Sequence, residues 1–238
     1  MSLVSGLASL LFPPLCLSCS GDLAHGQSVI CARCERAINE KDYQGIINGV
    51  PFCTRLTYGL EISQLVLLAK EENNRAARNY LARRLARSFS DKNEYMRAKI
   101  ILIPAPSTIA ATRVRGFEHC LLLARSMRSE LSYITQNEHR LGVDIAILQP
   151  LKVTRALQDQ SLLNPAQRMA NLKGAYRFDE NFRALLEGER SNRPYLVLVD
   201  DVMTSGATMS EGIRALRSAG FEPDMAILAC VSPRLISQ

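Results

Sequence analysis

Residues 197–208 read VLVDDVMTSGAT and decide how the rest of the chain is interpreted. An apolar run typical of a buried β-strand ends at two adjacent acids, Asp200 and Asp201. A short loop of small and hydroxyl residues follows, and helical periodicity then begins, with Ile213 and Leu216 on one side. The order of strand, acid pair, loop and helix predicts an anion-binding site at the end of a strand.

The loop has the composition of a phosphate cradle. Its residues offer backbone N–H groups and three hydroxyls at a predicted helix N-terminus: Thr204, Ser205, Gly206, Ala207 and Thr208. Glycine has no Cβ and lets the backbone approach a ligand closely. The acids before the loop can accept hydrogen bonds from vicinal hydroxyls or support a metal ion. Because a phosphate beside a diol is a sugar phosphate, the stretch favours that ligand over a plain acidic turn.

Asp200 to Thr208 also resembles the 5-phosphoribosyl-1-pyrophosphate (PRPP) motif of the type I phosphoribosyltransferases. The resemblance implies that Asp200 and Asp201 bind the ribose 2- and 3-hydroxyls, directly or through Mg²⁺. It also implies that Thr204 to Thr208 hold the 5-phosphate, and that the ligand is PRPP or a related sugar phosphate.

Composition limits the class of protein. The chain has 238 residues, of which 47% are hydrophobic, enough for a packed core. Trp is absent and aromatic residues make up 6%, which argues against an extended base-stacking surface. No apolar run approaches the ~20 residues that span a bilayer. Residues 1–15 lack a basic region and a small-residue cleavage site, so they do not predict a signal peptide. We expect a cytoplasmic protein without membrane insertion.

Positive charge is concentrated on one helical stretch. The net charge is +6, and residues 59–99 hold nine basic and five acidic residues. Apolar spacing predicts helix over residues 62–89, with a division into two helices at residues 71–74. A solvated helix face is the simpler explanation of the charge. A surface for an anionic polymer such as single-stranded DNA is the alternative.

Four N-terminal cysteines form two Cys-x2-Cys pairs separated by eleven residues: Cys16, Cys19, Cys31 and Cys34. Thiolates at this spacing can converge on one tetrahedral zinc ion, and because all four ligands come from the protein the zinc would be structural. Disulfides are the alternative, disfavoured in a chain without a secretion signal. His25, between the pairs, is predicted to be a surface residue rather than a ligand. The remaining cysteines, Cys53, Cys120 and Cys230, are predicted to be buried or core thiols.

Strand and helix patterns alternate from residue 99 onward. Continuous apolar or β-type runs occupy residues 99–103, 144–151, 175–178, 195–199 and 225–231. Since helical patterns separate most of them, we predict an α/β fold with a mostly parallel sheet. The first strand leads into prolines and then Arg113, Arg115 and Gly116, which suits a second anion site at the same edge of the sheet.

Taken in order, the cysteine pairs, the helix carrying Lys70, the Pro-Ala-Pro…Arg-x-Arg-Gly-Phe segment and the acid-pair loop resemble the ComF/GntX family. This resemblance covers nearly the whole chain. It implies a small four-cysteine zinc ribbon at residues 1–58, a type I phosphoribosyltransferase-type domain at residues 59–238, and a role in DNA uptake during natural transformation. It further implies that residues 104–117 bind pyrophosphate, with Arg113 and Arg115 neutralising its charge. Two departures are Glu118, where the family commonly has Asn, and Cys53, which lacks a pairing cysteine.

Residues 152–171 contain few large apolar side chains and many amides and bases. They predict a mobile covering segment, with a solvated polar linker as the alternative. The family shows a similar series of Arg, Gln, Arg and Asn, which here corresponds to Arg155, Gln160, Arg168 and Asn171.

Three hypotheses of function remain open at this stage. The first is a PRPP-dependent phosphoribosyltransferase of nucleotide or related metabolism, for which no residue pattern indicates the acceptor. The second is a DNA-uptake factor that keeps the pocket for binding or regulation while its basic helix contacts single-stranded DNA. In the third, the zinc ribbon docks a helicase-like translocation partner and the pocket is vestigial, which the intact acid pair and loop count against. Whether the protein is an enzyme stays open.

Overall fold

The computed structural model describes residues 14–24, 26–27, 29–38, 40–91, 99–137, 143–158, 163–187 and 193–236. The expectations for residues 1–13, His25 and Gln160 fall outside these ranges.

Helices and strands alternate along most of the described chain. The α-helices are α1 (Ala32–Ala37), α2 (Leu60–Glu71), α3 (Arg75–Ser90), α4 (Ile109–Arg115), α5 (His119–Asn137), α6 (Pro165–Leu172), α7 (Arg183–Glu187) and α8 (Ala207–Ser218). The strands are β1 (Tyr43–Ile47), β2 (Val50–Thr54), β3 (Ile100–Pro104), β4 (Ile145–Ile147), β5 (Leu151–Val153), β6 (Tyr176–Phe178), β7 (Tyr195–Met203) and β8 (Met225–Val231). Two short 3-10 helices cover Glu180–Phe182 and Pro233–Leu235.

A six-stranded sheet with the order β1-β2-β8-β7-β3-β4 forms the centre of the fold. Every neighbouring pair in it is parallel except β1 and β2, which form an antiparallel hairpin at one edge. The hairpin turn uses Asn48 and Gly49, both at positive φ, as a tight two-residue turn requires. The prediction of an α/β fold with a mostly parallel sheet is confirmed, and β7 lies in the middle of the sheet.

Both faces of the sheet are covered, which explains why β3 and β7 are apolar without alternation. On β3, Ile100 and Leu102 pack into the core that contains the buried sides of α2, α3 and α5. Ile101 and Ile103 pack into the opposite core, with α8 and the small antiparallel sheet β5–β6. We call β5, α6 and β6, residues 151–178, the hood. The prediction of a covering segment falls within it.

The long helical region divides where the sequence indicated. Helix α2 ends at Glu71 and α3 begins at Arg75, with Asn73 at a φ of 53°. The side chain of Asn74 accepts a hydrogen bond from the N–H of Ala77 and so caps α3. An asparagine cap, without glycine or proline, is enough to end one helix and start the next.

The N-terminal segment packs directly on α3. Glu35 accepts hydrogen bonds from Tyr80 (3.2 Å) and Arg84 (2.7 Å), and Arg84 also stacks on the Tyr80 ring at 3.7 Å. Buried Ile30 belongs to the same core as α2 and α3. The hairpin β1–β2, inside the predicted module 1–58, adds to the main sheet, so the sheet extends across the predicted boundary. Within the described residues, no helix has the length and apolarity needed to cross a membrane.

Candidate functional site

Two adjacent carboxylates lie buried near the carboxyl end of the central strand. Asp200 and Asp201 are 6% and 5% exposed, and both belong to β7. Since neighbouring side chains of a strand point to opposite faces, the two acids have different environments. Asp200 contacts Cys120 of α5, whereas Asp201 contacts Lys70 of α2 and His119 of α5.

Asp201 is surrounded by basic groups. Its Oδ2 lies 3.0 Å from Nζ of Lys70 and 3.4 Å from Nε2 of His119, and its Oδ1 accepts from the N–H of Val202. Burial opposes ionisation, but Lys70 and His119 outweigh it and hold the pKa of the Asp201 carboxyl well below its usual range. Asp201 is therefore a fixed negative charge.

Two polar atoms at this point are buried without a hydrogen bond. Nζ of Lys70 and Nε2 of His119 both lie near Oδ2 of Asp201, but neither is oriented to donate a well-directed hydrogen bond to it. His119 is 1% exposed, and its Nε2 has no other hydrogen-bond partner among the described residues. The other ring nitrogen of His119 lies 3.2 Å from the carbonyl of Ala69. These two atoms face each other at 3.4 Å, and Nζ of Lys70 lies 3.0 Å from Oδ2, so the Asp201 carboxylate is held by charge rather than by well-directed hydrogen bonds.

Asp200 differs from its neighbour in charge. Its Oδ1 accepts from Sγ of Cys120 at 3.3 Å and from the N–H of Asp201 at 2.9 Å. Burial, together with the negative charge of Asp201, raises the pKa of Asp200 to about 7. Near neutral pH the acid pair therefore holds one fixed charge and one carboxyl that is partly protonated.

The predicted phosphate loop follows β7 directly. Gly206 has a φ of 73° and immediately precedes α8, whose first intrahelical bond runs from the N–H of Ser210 to the carbonyl of Gly206. The N–H groups of Ala207, Thr208 and Met209 precede that bond, and no side chain caps the helix. The positive φ favours glycine, and a Cβ at this position would also lie 2.6 Å from Cδ1 of Ile47, the end of a side chain that would have to move aside.

Among the described residues, Arg168 of the hood forms a hydrogen bond with the loop. Nη1 of Arg168 donates to Oγ1 of Thr204 at 2.8 Å. Arg155 donates to the carbonyl of Asn171, and the Asn171 side chain pairs with the backbone of Gln158. The structure thus describes Arg155, Arg168 and Asn171 of the predicted covering series. Of these, Arg168 contacts Thr204 in the predicted phosphate loop.

Arg113 and Arg115 lie in the short helix α4 rather than in an extended loop. Arg115 forms a two-pronged ion pair with Glu71, at 2.8 and 2.9 Å, beside Lys70 at the end of α2. Arg113 is exposed. Within the described part of the chain, neither arginine forms a hydrogen bond or ion pair with Asp200 or Asp201, so a role for them in binding pyrophosphate stays a prediction.

The four N-terminal cysteines come together at a second site. Their Sγ atoms all lie within 4.8 Å of one another, as binding of one zinc ion requires. Burial opposes ionisation of Cys16, but the N–H groups of Cys31, Cys19 and Ser18 outweigh it and lower the pKa of its thiol to about 6. Burial raises the pKa of the Cys34 thiol to about 12. The cluster is compatible with structural zinc, which would hold all four as thiolates.

Sequence reasoning missed three contributors to the acid site. Lys70 was grouped with the basic helix, His119 was not singled out, and Cys120 was predicted to be a core residue. Cys120 is indeed buried, but it also donates to Asp200. The signal available in the sequence was the position of His119 and Cys120 at the start of the helix after the proline-arginine segment.

The other two cysteines are buried as predicted. Sγ of Cys53 lies 3.7 Å from Sδ of Met225, and Sγ of Cys230 lies 3.7 Å from the carbonyl of Asp201. Cys53 is 2% exposed, packs in the core near β8 and is not among the four cysteines whose Sγ atoms come together.

A cavity of about 430 Å³ lies elsewhere, between β6 and α8. Its lining includes Phe178, Asp179 and Arg214, and none of the predicted site residues. The guanidinium of Arg214 is already bonded to Glu211 and to the carbonyl of Tyr176. We therefore assign the candidate site to the acid pair and its loop, where two buried carboxylates on the central strand precede an uncapped helix N-terminus.

No protein-family model matches this chain, and no significant match occurs among curated proteins.

Proposed function

We propose that the chain is a ComF-like protein whose α/β domain has the type I phosphoribosyltransferase fold and binds PRPP. The observation that carries the proposal is the buried pair Asp200–Asp201 on the central parallel strand, followed at once by a glycine loop that opens α8. Ligands of open α/β sheets bind beyond the carboxyl ends of the strands, which is where this arrangement lies.

In this proposal each group has a defined role. The N–H groups and hydroxyls of Thr204 to Thr208 bind the 5-phosphate, helped by the dipole of α8. The acid pair accepts hydrogen bonds from the ribose 2- and 3-hydroxyls. Lys70 and His119, both against Asp201, keep that carboxylate charged and fixed in place before the ligand arrives.

Mg²⁺ fits the same residues. Carboxylate oxygens are its preferred protein ligands, and ligand atoms of Cys120, Asp200 and Asp201 lie within 4.8 Å of one another. Asp200 and Asp201 would hold the ion, which would link the acids to the sugar hydroxyls and screen the negative charge of the ligand. In the N-terminal module, Cys16, Cys19, Cys31 and Cys34 would bind zinc.

DNA uptake during natural transformation is the proposed setting, with single-stranded DNA and a helicase-like protein as partners. Several basic side chains of α2 and α3 are already paired with acidic residues, which limits the number available to bind DNA. Lys70, Arg83 and Arg84 already form ion pairs with Asp201, Glu130 and Glu35. Exposed Arg75 and Arg87 are then the natural candidates for contact with a phosphate backbone. Affinity for a single strand should fall with salt, with a log–log slope of about −0.7 for each phosphate contact.

An active PRPP-dependent transferase is the second candidate. The observation that favours it is the burial of Asp200 beside the Cys120 thiol, because burial raises the pKa of that carboxyl toward the range in which an acid or base works best. Release of pyrophosphate in the presence of one nucleobase or amine, lost in Asp200→Asn, would support this candidate.

The direct test is calorimetric titration of PRPP with Mg²⁺ into zinc-loaded protein. We expect saturable binding by the wild type and none by the double variant Asp200→Asn/Asp201→Asn, which changes charge but little volume. Asp144→Asn, at an exposed position before β4, is the matched control and should bind as the wild type does. Absence of binding by folded, zinc-loaded wild type would refute the proposal and leave DNA or protein partners to be tested.

A further inference from the structure

Arg168 is the cationic side chain that the hood places at the phosphate loop. It lies in α6, and its Nη1 donates to Oγ1 of Thr204, the first residue after β7, at 2.8 Å. Lys70, by contrast, pairs with Asp201, the carboxylate that faces α2 and α5. In the part of the chain that is described, no other cation hydrogen-bonds to a side chain of residues 204–208.

The position of Arg168 is fixed from several directions. Helix α6 begins with a capping box in which Asn164 and Gln167 bond each other's backbone N–H groups. At the C-terminal end of α6, Arg155 donates hydrogen bonds to the carbonyls of Asn171 (2.6 Å) and Lys173 (3.3 Å). Leu172 is fully buried in the core shared with α8. The guanidinium of Arg168 is therefore presented to the loop by a short, well-anchored helix.

The charges at the loop do not match a phosphate dianion without this arginine. Residues 204–210 carry no ionisable side chain, and the N-terminus of α8 contributes the equivalent of about half a positive charge. A phosphomonoester carries about −1.5 to −2 near pH 7, whereas a phosphodiester carries about −1. With Arg168 added, the positive charge is about +1.5, which matches the monoester.

We propose that Arg168 is a specificity-determining residue that makes the loop select a terminal phosphomonoester, as in a sugar 5-phosphate, over a phosphodiester. The inference rests on the proposed function, because it concerns the ligand of the same loop. It also assigns the loop to small sugar phosphates in preference to the backbone of a nucleic acid, whose internal phosphates are all diesters. Thr204 holds the guanidinium in place until the phosphate binds beside it.

The test compares two probes that differ in one methyl group: ribose 5-phosphate and its 5-methyl phosphodiester. Wild-type protein should bind the monoester about 10-fold or more tightly than the diester. Arg168→Gln keeps a donor for Thr204 but removes the charge. It should weaken monoester binding by about 10- to 100-fold, as loss of a charge-assisted hydrogen bond predicts, and should change diester binding much less. The ratio of the two affinities should therefore approach one.

The ratio of the monoester and diester affinities distinguishes a role of Arg168 in ligand specificity from a role in stabilising the hood. If Arg168 only supported the hood, its loss would weaken both probes equally and leave the ratio unchanged, which would overturn the inference. Arg168→Lys should retain part of the preference. Arg177→Gln, which removes an exposed charge from β6 of the same hood, should leave both affinities as in the wild type.

Failure of the inference can be distinguished from failure of the proposed function. If the wild type binds ribose 5-phosphate and PRPP, but the monoester preference is absent or survives in Arg168→Gln, only the role of Arg168 is refuted. If folded wild type binds neither compound, the proposed function fails and this inference fails with it.

Discussion

Replacing Asp200 with asparagine should stabilise the protein while abolishing ligand binding. Asn at this position has nearly the shape of a protonated carboxyl, and its Oδ1 can still accept from Sγ of Cys120 and from the N–H of Asp201. What the substitution removes is the ability to ionise in a buried site beside another negative charge. A residue that is needed for ligand binding can therefore lower the stability of the folded protein.

The magnitude follows from the pKa of Asp200, which burial and the charge of Asp201 raise from 3.8 to about 7. Because the folded state binds the proton more tightly than the unfolded state, stability is highest at low pH and falls as pH rises from about 4 to about 7. Each unit of pKa difference is worth about 1.4 kcal/mol, so the raised pKa costs the wild type about 4 kcal/mol of stability at pH 8, where Asp200 ionises while buried, and less than half of that at pH 5, where it keeps a proton that the unfolded chain releases. Asp200→Asn avoids this cost, and its advantage should grow with pH.

Urea unfolding at pH 5, 6.5 and 8 measures the difference. The protein should be zinc-loaded, with neither Mg²⁺ nor a chelator in the buffer. Asp144→Asn, an exposed change of the same kind, should follow the wild type at every pH. Asp201→Asn should be less stable than the wild type at pH 5, since it loses the ion pair with Lys70. If Asp200→Asn were less stable than the wild type at pH 8, or its advantage did not grow with pH, the assignment of a raised pKa to Asp200 would be wrong.

Three further changes test other parts of the structure. Gly206→Ala should lower the free energy of unfolding by about 1–2 kcal/mol, because φ is 73° at this position and an L side chain is strained there, whereas Cδ1 of Ile47, 2.6 Å from the new Cβ, ends a side chain that can move aside. Gly116→Ala, at a φ of 78° with open space, should cost about as much, and the absence of a loss at both positions in chemical denaturation would contradict this. Cys19→Ser should reduce zinc content and melting temperature together, and a full equivalent of zinc by metal analysis would contradict the four-cysteine site. Arg84→Met should lower the free energy of unfolding by about 1 kcal/mol and speed proteolysis within residues 14–38, because Arg84 of α3 forms an ion pair with Glu35 of the N-terminal segment. An unchanged rate of cleavage would show that this contact does not stabilise the segment.

The arrangement of strands and helices was largely predictable because the local signals agree with the final packing. The continuous apolar runs at β3 and β7 predicted a sheet covered on both faces, and the structure covers both. The division between α2 and α3 was also predicted, although only Asn74 marked it. In contrast, the pairing of β2 with β8 joins residues about 170 positions apart, and no local pattern contains that information.

The chemical environment of the acid pair was not predictable for the same reason. The loop and both acids are contiguous in sequence, so one motif identified them. Lys70 and His119 reach Asp201 from two helices that lie far from it in the chain. Only the three-dimensional packing of α2 and α5 against β7 brings those side chains to the carboxylate, and sequence spacing gives no measure of such proximity.

The different environments of Asp200 and Asp201 indicate that the acids are not equivalent. If the pair only ended a strand, two buried carboxylates would cost stability without return, and apolar side chains would serve better. Here Lys70 forms an ion pair with Asp201 and His119 lies beside the same carboxylate, while Asp200 is left with a thiol and a backbone N–H. The result is one permanent charge beside one carboxyl that can gain or lose a proton near neutral pH. That difference suits the binding of a metal ion or a diol, where one acid must be charged before the ligand arrives and the other can ionise as the ligand's own charge and hydrogen bonds replace water.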